Sequence, residues 1–286
     1  MLKQSALLTS LTPLAPLHHL FAADTKRSFY IGACDWSIGK SSDIGAFEVA
    51  KSIGLDGLMV NMGSEKNNLH LREKPRQTAY LEAARQTGVK ISSLAIGELN
   101  NVPYKSDPRT EEWVWDSIEV AKNLGVSVIL LAFFSKNDLR NDEAGKKEVI
   151  SRLKKVAPRA ELMGITLGIE SYLNAAEHLD IMERVGSKSI KTYYDFRNTA
   201  DAGFDAIEEL KQLGAGNICE LHMKENDVLL RQGTMPWQQI SEVLYEMQYY
   251  GDGWMQIEGA KPSNADTIES YKANLQFLRS LFIKKI

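Results

Sequence analysis

The sequence predicts a single (β/α)8 barrel: eight parallel strands closed into a ring, each followed by a helix. Three observations carry that prediction. From Phe29 onward, short β-branched or apolar runs alternate with longer amphipathic stretches; the alternation repeats eight times; and most helical stretches end near a glycine before the next run begins. Eight such repeats in about 255 residues exceed what a doubly wound sheet usually needs and match a closed barrel.

In chain order, the run 29–36 is followed by a helical pattern over 44–53, and 57–62 by 76–87. The run 90–96 precedes 111–124, and 127–134 precedes 143–162. The second half pairs 165–170 with 175–185, 190–196 with 205–213, 218–224 with 236–249, and 254–258 with 267–282. Gly164, Gly186, Gly214 and Gly251 punctuate the units. The stretch 98–110 is expected to form a lid over the barrel mouth. No low-complexity linker or charge block divides residues 24–286, which read as one catalytic domain.

Composition narrows the function classes. At 286 residues with 44% apolar and 25% charged side chains, the chain matches a globular protein and excludes disordered, collagen-like and membrane-spanning classes. The net charge of −3, without a basic stripe, argues against a nucleic-acid partner and for a small molecule. Cys34 and Cys219 lie far apart in apolar runs, too few for a disulfide scaffold or thiolate zinc site, and are expected to be buried free thiols. Residues 1–23 follow the plan of a secretory leader, with one lysine, an apolar stretch and small residues before Asp24. Export, to the periplasm, is the expectation; a cytoplasmic protein with a disordered leader is the alternative. Thr12, Pro13 and Pro16 break the apolar stretch, so stable membrane insertion is not expected.

Barrel chemistry sits at the carboxyl ends of the strands. There, four successive runs end in an ionisable group: Glu170 in GITLGIES, Asp195 in KTYYDFRN, His222 in CELHMKEN and Glu258 in WMQIEGA. One such residue is more often a helix cap, a salt-bridge partner or a hydrogen-bonded core histidine. Four around one mouth point to a bound cation, because burying carboxylates otherwise costs several kcal/mol each. Three carboxylates with one imidazole suit Mn²⁺ first, then Mg²⁺ or Co²⁺, with Zn²⁺ still open.

These segments, with RQGTMPW at 231–237, resemble the xylose isomerase-like barrel superfamily, in particular its sugar isomerase/epimerase branch that includes D-tagatose and D-psicose 3-epimerases. The resemblance covers essentially residues 29–282. It implies that Glu170, Asp195, His222 and Glu258 hold one divalent metal and that Glu170 and Glu258 are the proton-transfer groups. A metal bound by a ketone oxygen and the neighbouring hydroxyl would polarise the carbonyl and stabilise an enediolate. With one glutamate on each face of the carbon, removing and returning a proton gives epimerisation. The same intermediate could expel a β-leaving group, making the protein an eliminase on 3-keto-glycosides.

The sequence departs from the hexulose epimerases at two places: Asn198 stands where a histidine is usual, and Val228 where an arginine is expected. Lys224 or Arg231 is the candidate replacement for that arginine. Lys224, two residues past His222, should share its side of the strand and could neutralise an enediolate or hold a substrate hydroxyl; the alternative is a rim salt bridge. Trp36, Asn61, Glu98, Phe134 and Tyr172 are expected at the mouth as substrate contacts, with a packing role as the alternative for the two aromatics Trp36 and Phe134. In the RQGTMPW segment, Gly233 is expected to turn the chain and Pro236 to open a helix.

Two rivals remain. Endonuclease IV-type barrels resemble this one but hold three metals through many histidines, whereas only His70, His178 and His222 lie outside the leader, with His178 in a helical pattern. A non-catalytic sugar-binding barrel would have no reason to keep both glutamates. No Gly-rich phosphate cradle is evident, which favours an unphosphorylated sugar. Assembly into a homo-oligomer stays open.

Overall fold

A computed structural model of the chain describes residues 29–249 and 251–282. The leader expected at 1–23 lies outside the described residues. Among those described, no helix is long and apolar enough to cross a membrane.

The strands are β1 (Tyr30–Cys34), β2 (Gly57–Asn61), β3 (Lys90–Ile96), β4 (Val128–Phe133), β5 (Thr166–Ser171), β6 (Ile190–Asp195), β7 (Ile218–Lys224) and β8 (Trp254–Glu258). Each pairs in parallel with its sequence neighbours, and β1 closes the ring on β8 through Tyr30 opposite Trp254 and Ala33 opposite Ile257. The outer helices are α1 (Ala46–Ile53), α2 (Lys74–Thr87), α3 (Arg109–Leu124), α4 (Glu143–Met163), α5 (Ala175–Val185), α6 (Phe196–Asp201), α7 (Ala206–Leu213), α8 (Trp237–Glu246) and α9 (Thr267–Leu281). The eight-unit expectation holds, and the chain is one (β/α)8 barrel.

Local chemistry explains the boundaries. Helix α1 turns Ala46, Phe47, Ala50 and Ile53 inward, the three-and-four spacing of one helical face. Helix α5 opens with a capping box, Asn174 accepting from the Glu177 N–H and Glu177 accepting from the Asn174 N–H, and closes at Gly186 in the left-handed region. Helix α6 is not foreseen by the apolar pattern. It starts directly where β6 stops, because the Asp195 side chain accepts from the Asn198 N–H at 2.9 Å and caps the first turn.

Two apolar layers result. The larger lies between strands and helices; the smaller fills the barrel and includes Cys34, Met59, Ala95, Val128, Leu130, Ala132, Tyr193 and Cys219. Both cysteines are buried and unpaired, as expected. Within the ring the strands leave little room. A Cβ added at Gly57 would lie 2.4 Å from the Trp254 ring and 3.0 Å from the Lys90 carbonyl oxygen.

The loop expected to be a lid is built as a wall. Its first turn, Gly97–Asn100, faces the mouth, but Val102 and Tyr104 are buried. The Lys105 ammonium donates to Asp142 and to the Asp138 carbonyl, which ties the loop to the segment before α4.

Gly57→Ala should cost roughly 1–3 kcal/mol through overpacking, read as a fall of several degrees in Tm. A second prediction concerns acid. His178, fully buried in α5 with Nε2 3.0 Å from the Ser171 hydroxyl, has its pKa lowered by burial to about 4. Below its ordinary value of 6.5 the unfolded chain takes up a proton that the folded chain refuses. Stability should therefore decline from pH 6.5 down to about 4, by about 3 kcal/mol at most. Denaturant titrations across that window should show a shallower decline in His178→Gln.

Candidate functional site

Residues at the carboxyl ends of β5, β6, β7 and β8 converge as the sequence predicts. One ligand atom each from Glu170, Asp195, His222 and Glu258 lie within 4.8 Å of one another. His222 Nδ1 is the focus: Glu170 Oε1 lies 2.9 Å away, Glu258 Oε2 3.6 Å and Asp195 Oδ2 3.7 Å. Glu170, Asp195 and His222 are buried, and the Glu258 side chain is only 15% exposed.

Asp195 is placed so that the cap and ligand readings are compatible. Its Oδ1 caps α6, while Oδ2 is buried and accepts no hydrogen bond. Glu258 Oε1 accepts from the Trp36 indole N–H at 2.7 Å, and Oε2 faces the Lys224 ammonium at 3.0 Å. An Asp195 oxygen buried without a hydrogen bond and a Glu258 oxygen met by an ammonium, both turned toward one imidazole nitrogen, fit a divalent cation of oxygen and nitrogen preference.

The other side of the imidazole is backed by sulfur. His222 Nε2 lies 3.3 Å from Cys34 Sγ, whose thiol donates to Met59 Sδ at 3.9 Å. With a cation bound and the ring neutral, an Nε2–H donated to Cys34 would leave the Nδ1 lone pair facing the carboxylates; without one, Nδ1 donates to Glu170 Oε1. Burial pushes the Cys34 thiol up to about 12, so it stays protonated.

Without an ion, the cluster balances its own charge. Burial raises the Glu170 pKa despite the attraction of His222. Burial opposes ionising Glu258, yet His222, Lys224 and the Trp36 N–H outweigh it and hold that carboxyl down at about 2. His222 resists protonation through burial but is driven well above 6.5 by Glu170 and Glu258. A bound cation would displace such protons, making its affinity pH-dependent.

Above the cluster lies a cavity of about 530 Å³ lined by Trp36, Asn61, Glu98, Phe134, Tyr172, Asn198 and Lys224, together with Glu170 and Glu258. Seven of the eight rim expectations are therefore at the mouth, Phe134 included. Glu98 has both oxygens engaged, one by the Glu65 N–H and one by the Asn101 side chain. Phe134 and Tyr172 meet edge to face at 4.9 Å. Asn198 donates from Nδ2 to Glu170 Oε1 at 3.2 Å.

Arg231 is the exception. Its short turn, Leu230–Gln232, is anchored by buried Leu230, whose N–H donates to Asn274, and this leaves Arg231 exposed over the groove between α8 and α9. Gly233 lies at a bend, as expected, and also meets a close approach: with φ −83° a Cβ there would lie 2.0 Å from the carboxyl carbon of buried Glu225. Glu225 in turn accepts from the Met235 N–H, and Pro236 caps α8 just before its first residue.

Sequence reasoning missed two residues here. Cys34 was read only as a core thiol, although the alternation of β1 places it on the inner face two residues before Trp36. Asp35, also buried, accepts from the backbone N–H groups of Ser42 and Asn61, fastening the loop after β1 to the end of β2. Burial pushes its pKa up to about 7.

Residues 47–281 match the model of the xylose isomerase-like TIM barrel, and the chain belongs to that family. The 2-epi-5-epi-valiolone 7-phosphate 2-epimerase of Actinoplanes sp. is 25% identical over 197 residues, covering 68% of this chain and 72% of that protein. Among solved structures, the D-psicose 3-epimerase determined in the presence of D-fructose superposes with TM-score 0.74 at 16% identity, over 88% of this chain and 99% of that one. The E. coli 3-keto-D-glucoside 4-epimerase gives TM-score 0.71 at 15% identity with the same coverage. At these identities the structural likeness speaks for the fold.

Cys34→Ala should lower Mn²⁺ affinity about 10-fold or more by freeing the His222 ring, and Cys34→Ser should recover most of it. Calorimetric titration of the metal-stripped variants measures both.

Proposed function

We propose that this protein is a divalent-metal-dependent sugar epimerase that removes and returns a proton beside a carbonyl on an unphosphorylated sugar. The observation that carries the reading is the pair Glu170 and Glu258. They stand three strands apart around the ring, both reach the His222 nitrogen, and both line the cavity.

Glu170, Asp195, His222 and Glu258 would hold the ion, with Mn²⁺ our assignment. When bound, it supplies Lewis acidity that weakens the C–H bond beside a substrate carbonyl. Trp36 holds Oε1 of Glu258, leaving an ionised carboxylate disposed to take that proton. Glu170, steadied by Asn198, faces it across the cavity and delivers a proton to the opposite face of the carbon. Buried Leu130 and Ala132, with half-buried Phe134 packed against them, limit water on the β4 side.

A neutral substrate is favoured by charge. Among the described residues that line the cavity, Lys224 is the single cation, and Glu258 and Asp195 already share it. A phosphate dianion would find Glu98 and no free arginine. Export of the protein, argued from its leader, belongs to the same proposal, since phosphorylated sugars are largely cytoplasmic. Asn198, in place of the histidine usual in hexulose epimerases, favours elimination from a 3-keto-glycoside as the second reading.

The test is proton exchange. Mn²⁺-loaded protein, offered ketoses and keto-glycosides in deuterated water, should yield an epimer deuterated beside the carbonyl; an unsaturated product with a released aglycone would select the second reading. Neither deuterium nor product would leave a sugar-binding barrel. Glu258→Gln should reduce turnover by at least about 100-fold, while weakening Mn²⁺ binding less than His222→Ala does.

A further inference from the structure

A lysine beside the ligands of a cation is an expensive neighbour, and Lys224 is such a neighbour. Two residues past His222 on β7, it shares the inward face of the strand. Its ammonium lies 3.0 Å from Glu258 Oε2 and 3.7 Å from Asp195 Oδ2, the inward-facing oxygens of those two carboxylates. It donates to Asn198 Oδ1 at 3.1 Å, and Asn198 Nδ2 donates to Glu170 Oε1 at 3.2 Å. Contacts therefore run without a gap from Glu170 through Asn198 and Lys224 to Glu258.

A fixed positive charge at this distance repels an incoming cation and competes with it for the same oxygens. Such a charge is out of place in a site shaped for tight metal binding alone. Charge counting gives it a purpose. With all three carboxylates ionised, before Glu170 takes up the proton it delivers, their three negative charges are met by two from a divalent ion and, with His222 neutral, one from the ammonium. Asn198 adds a strut that keeps the ammonium from swinging out of the mouth, where its side chain is only 21% exposed.

We propose that Lys224, braced by Asn198, is a positioning residue of this centre: it fixes the spacing of Glu170 and Glu258 and brings the loaded site to zero net charge, at the expense of metal affinity. Lys224 keeps its proton throughout and no bond is made or broken at it. The part that concerns turnover rests on the epimerase reading; the part that concerns metal affinity rests on the geometry alone.

The experiment measures Mn²⁺ binding to the metal-stripped full chain by calorimetry, for wild type, Lys224→Met, Lys224→Gln and Lys224→Arg. The two neutral variants should bind Mn²⁺ roughly tenfold tighter or more, because the repulsion and the competition are gone. Lys224→Arg should stay within about threefold of wild type, since the charge is kept. On the substrate found by deuterium exchange, the neutral variants should lose at least about 100-fold in kcat with KM little changed. This split, tighter metal with slower turnover, is one that a merely structural lysine would not produce. Circular dichroism identifies folded variants, and Lys224→Gln provides the reading if Lys224→Met does not fold. Folded neutral variants that bind Mn²⁺ no tighter than wild type would overturn the proposal and leave the epimerase reading standing, as would tighter binding with unchanged turnover. Wild-type protein that binds no Mn²⁺ would remove the metal centre and this proposal together.

Discussion

Three carboxylates are held within a few ångströms of one imidazole nitrogen in a buried barrel mouth, and the rest of the site is organised around that crowding. Like charges at such separations repel strongly where water is scarce. The structure meets the repulsion by giving each carboxylate a supporting donor; Glu258 and Asp195 turn their other oxygen inward, whereas Glu170 uses one oxygen for both its support and His222. Trp36 serves Glu258, the first turn of α6 serves Asp195, and Asn198 serves Glu170. Each support comes from a different element, so the cluster depends on the closed ring that brings those elements together.

The barrel supplies the constraint cheaply. Parallel strands in register place their last residues at similar heights: Asp195 pairs with His222, and Lys224 pairs with Glu258. Inward alternation then settles which side chains face the axis. Below the ligands the interior is filled by Met59, Tyr193 and the two cysteines, and above them it opens into the cavity. The packing beneath the cluster is not purely apolar, however: Glu220, two residues before His222 on the inward face of β7, is buried there and accepts from the Ser93 hydroxyl and the Gln256 amide.

The fold and the convergence of four ionisable residues were legible because both follow from strand periodicity. An apolar run that stops at Glu170, Asp195, His222 or Glu258 marks a strand end, and strand ends in a barrel share one rim. Legibility stopped where orientation depends on contacts distant in sequence. Arg231 has the right type of side chain and the right loop, but the burial of Leu230 against α9 turns it away. Gly233 lies at the expected bend, yet the need for glycine arises also from Glu225, a contact no local pattern announces. Helix α6 was hidden because its cap is also the final residue of a strand. Cys34 became meaningful only once β1 was known to face His222 across the ring.

The dual use of Asp195 has its own consequence. One oxygen sets where a helix begins and the other faces the ligand cluster, so the direction of α6 and the geometry of the centre share a single hinge pin. Any shift of that helix is transmitted to the cluster without an intermediate, and the reverse also holds. Asn198, one turn along the same helix, is carried with it. An engineer who transplanted the four ligands into another barrel would have to move the opening turn of this helix as well, since the carboxylate and its scaffold form one inseparable part.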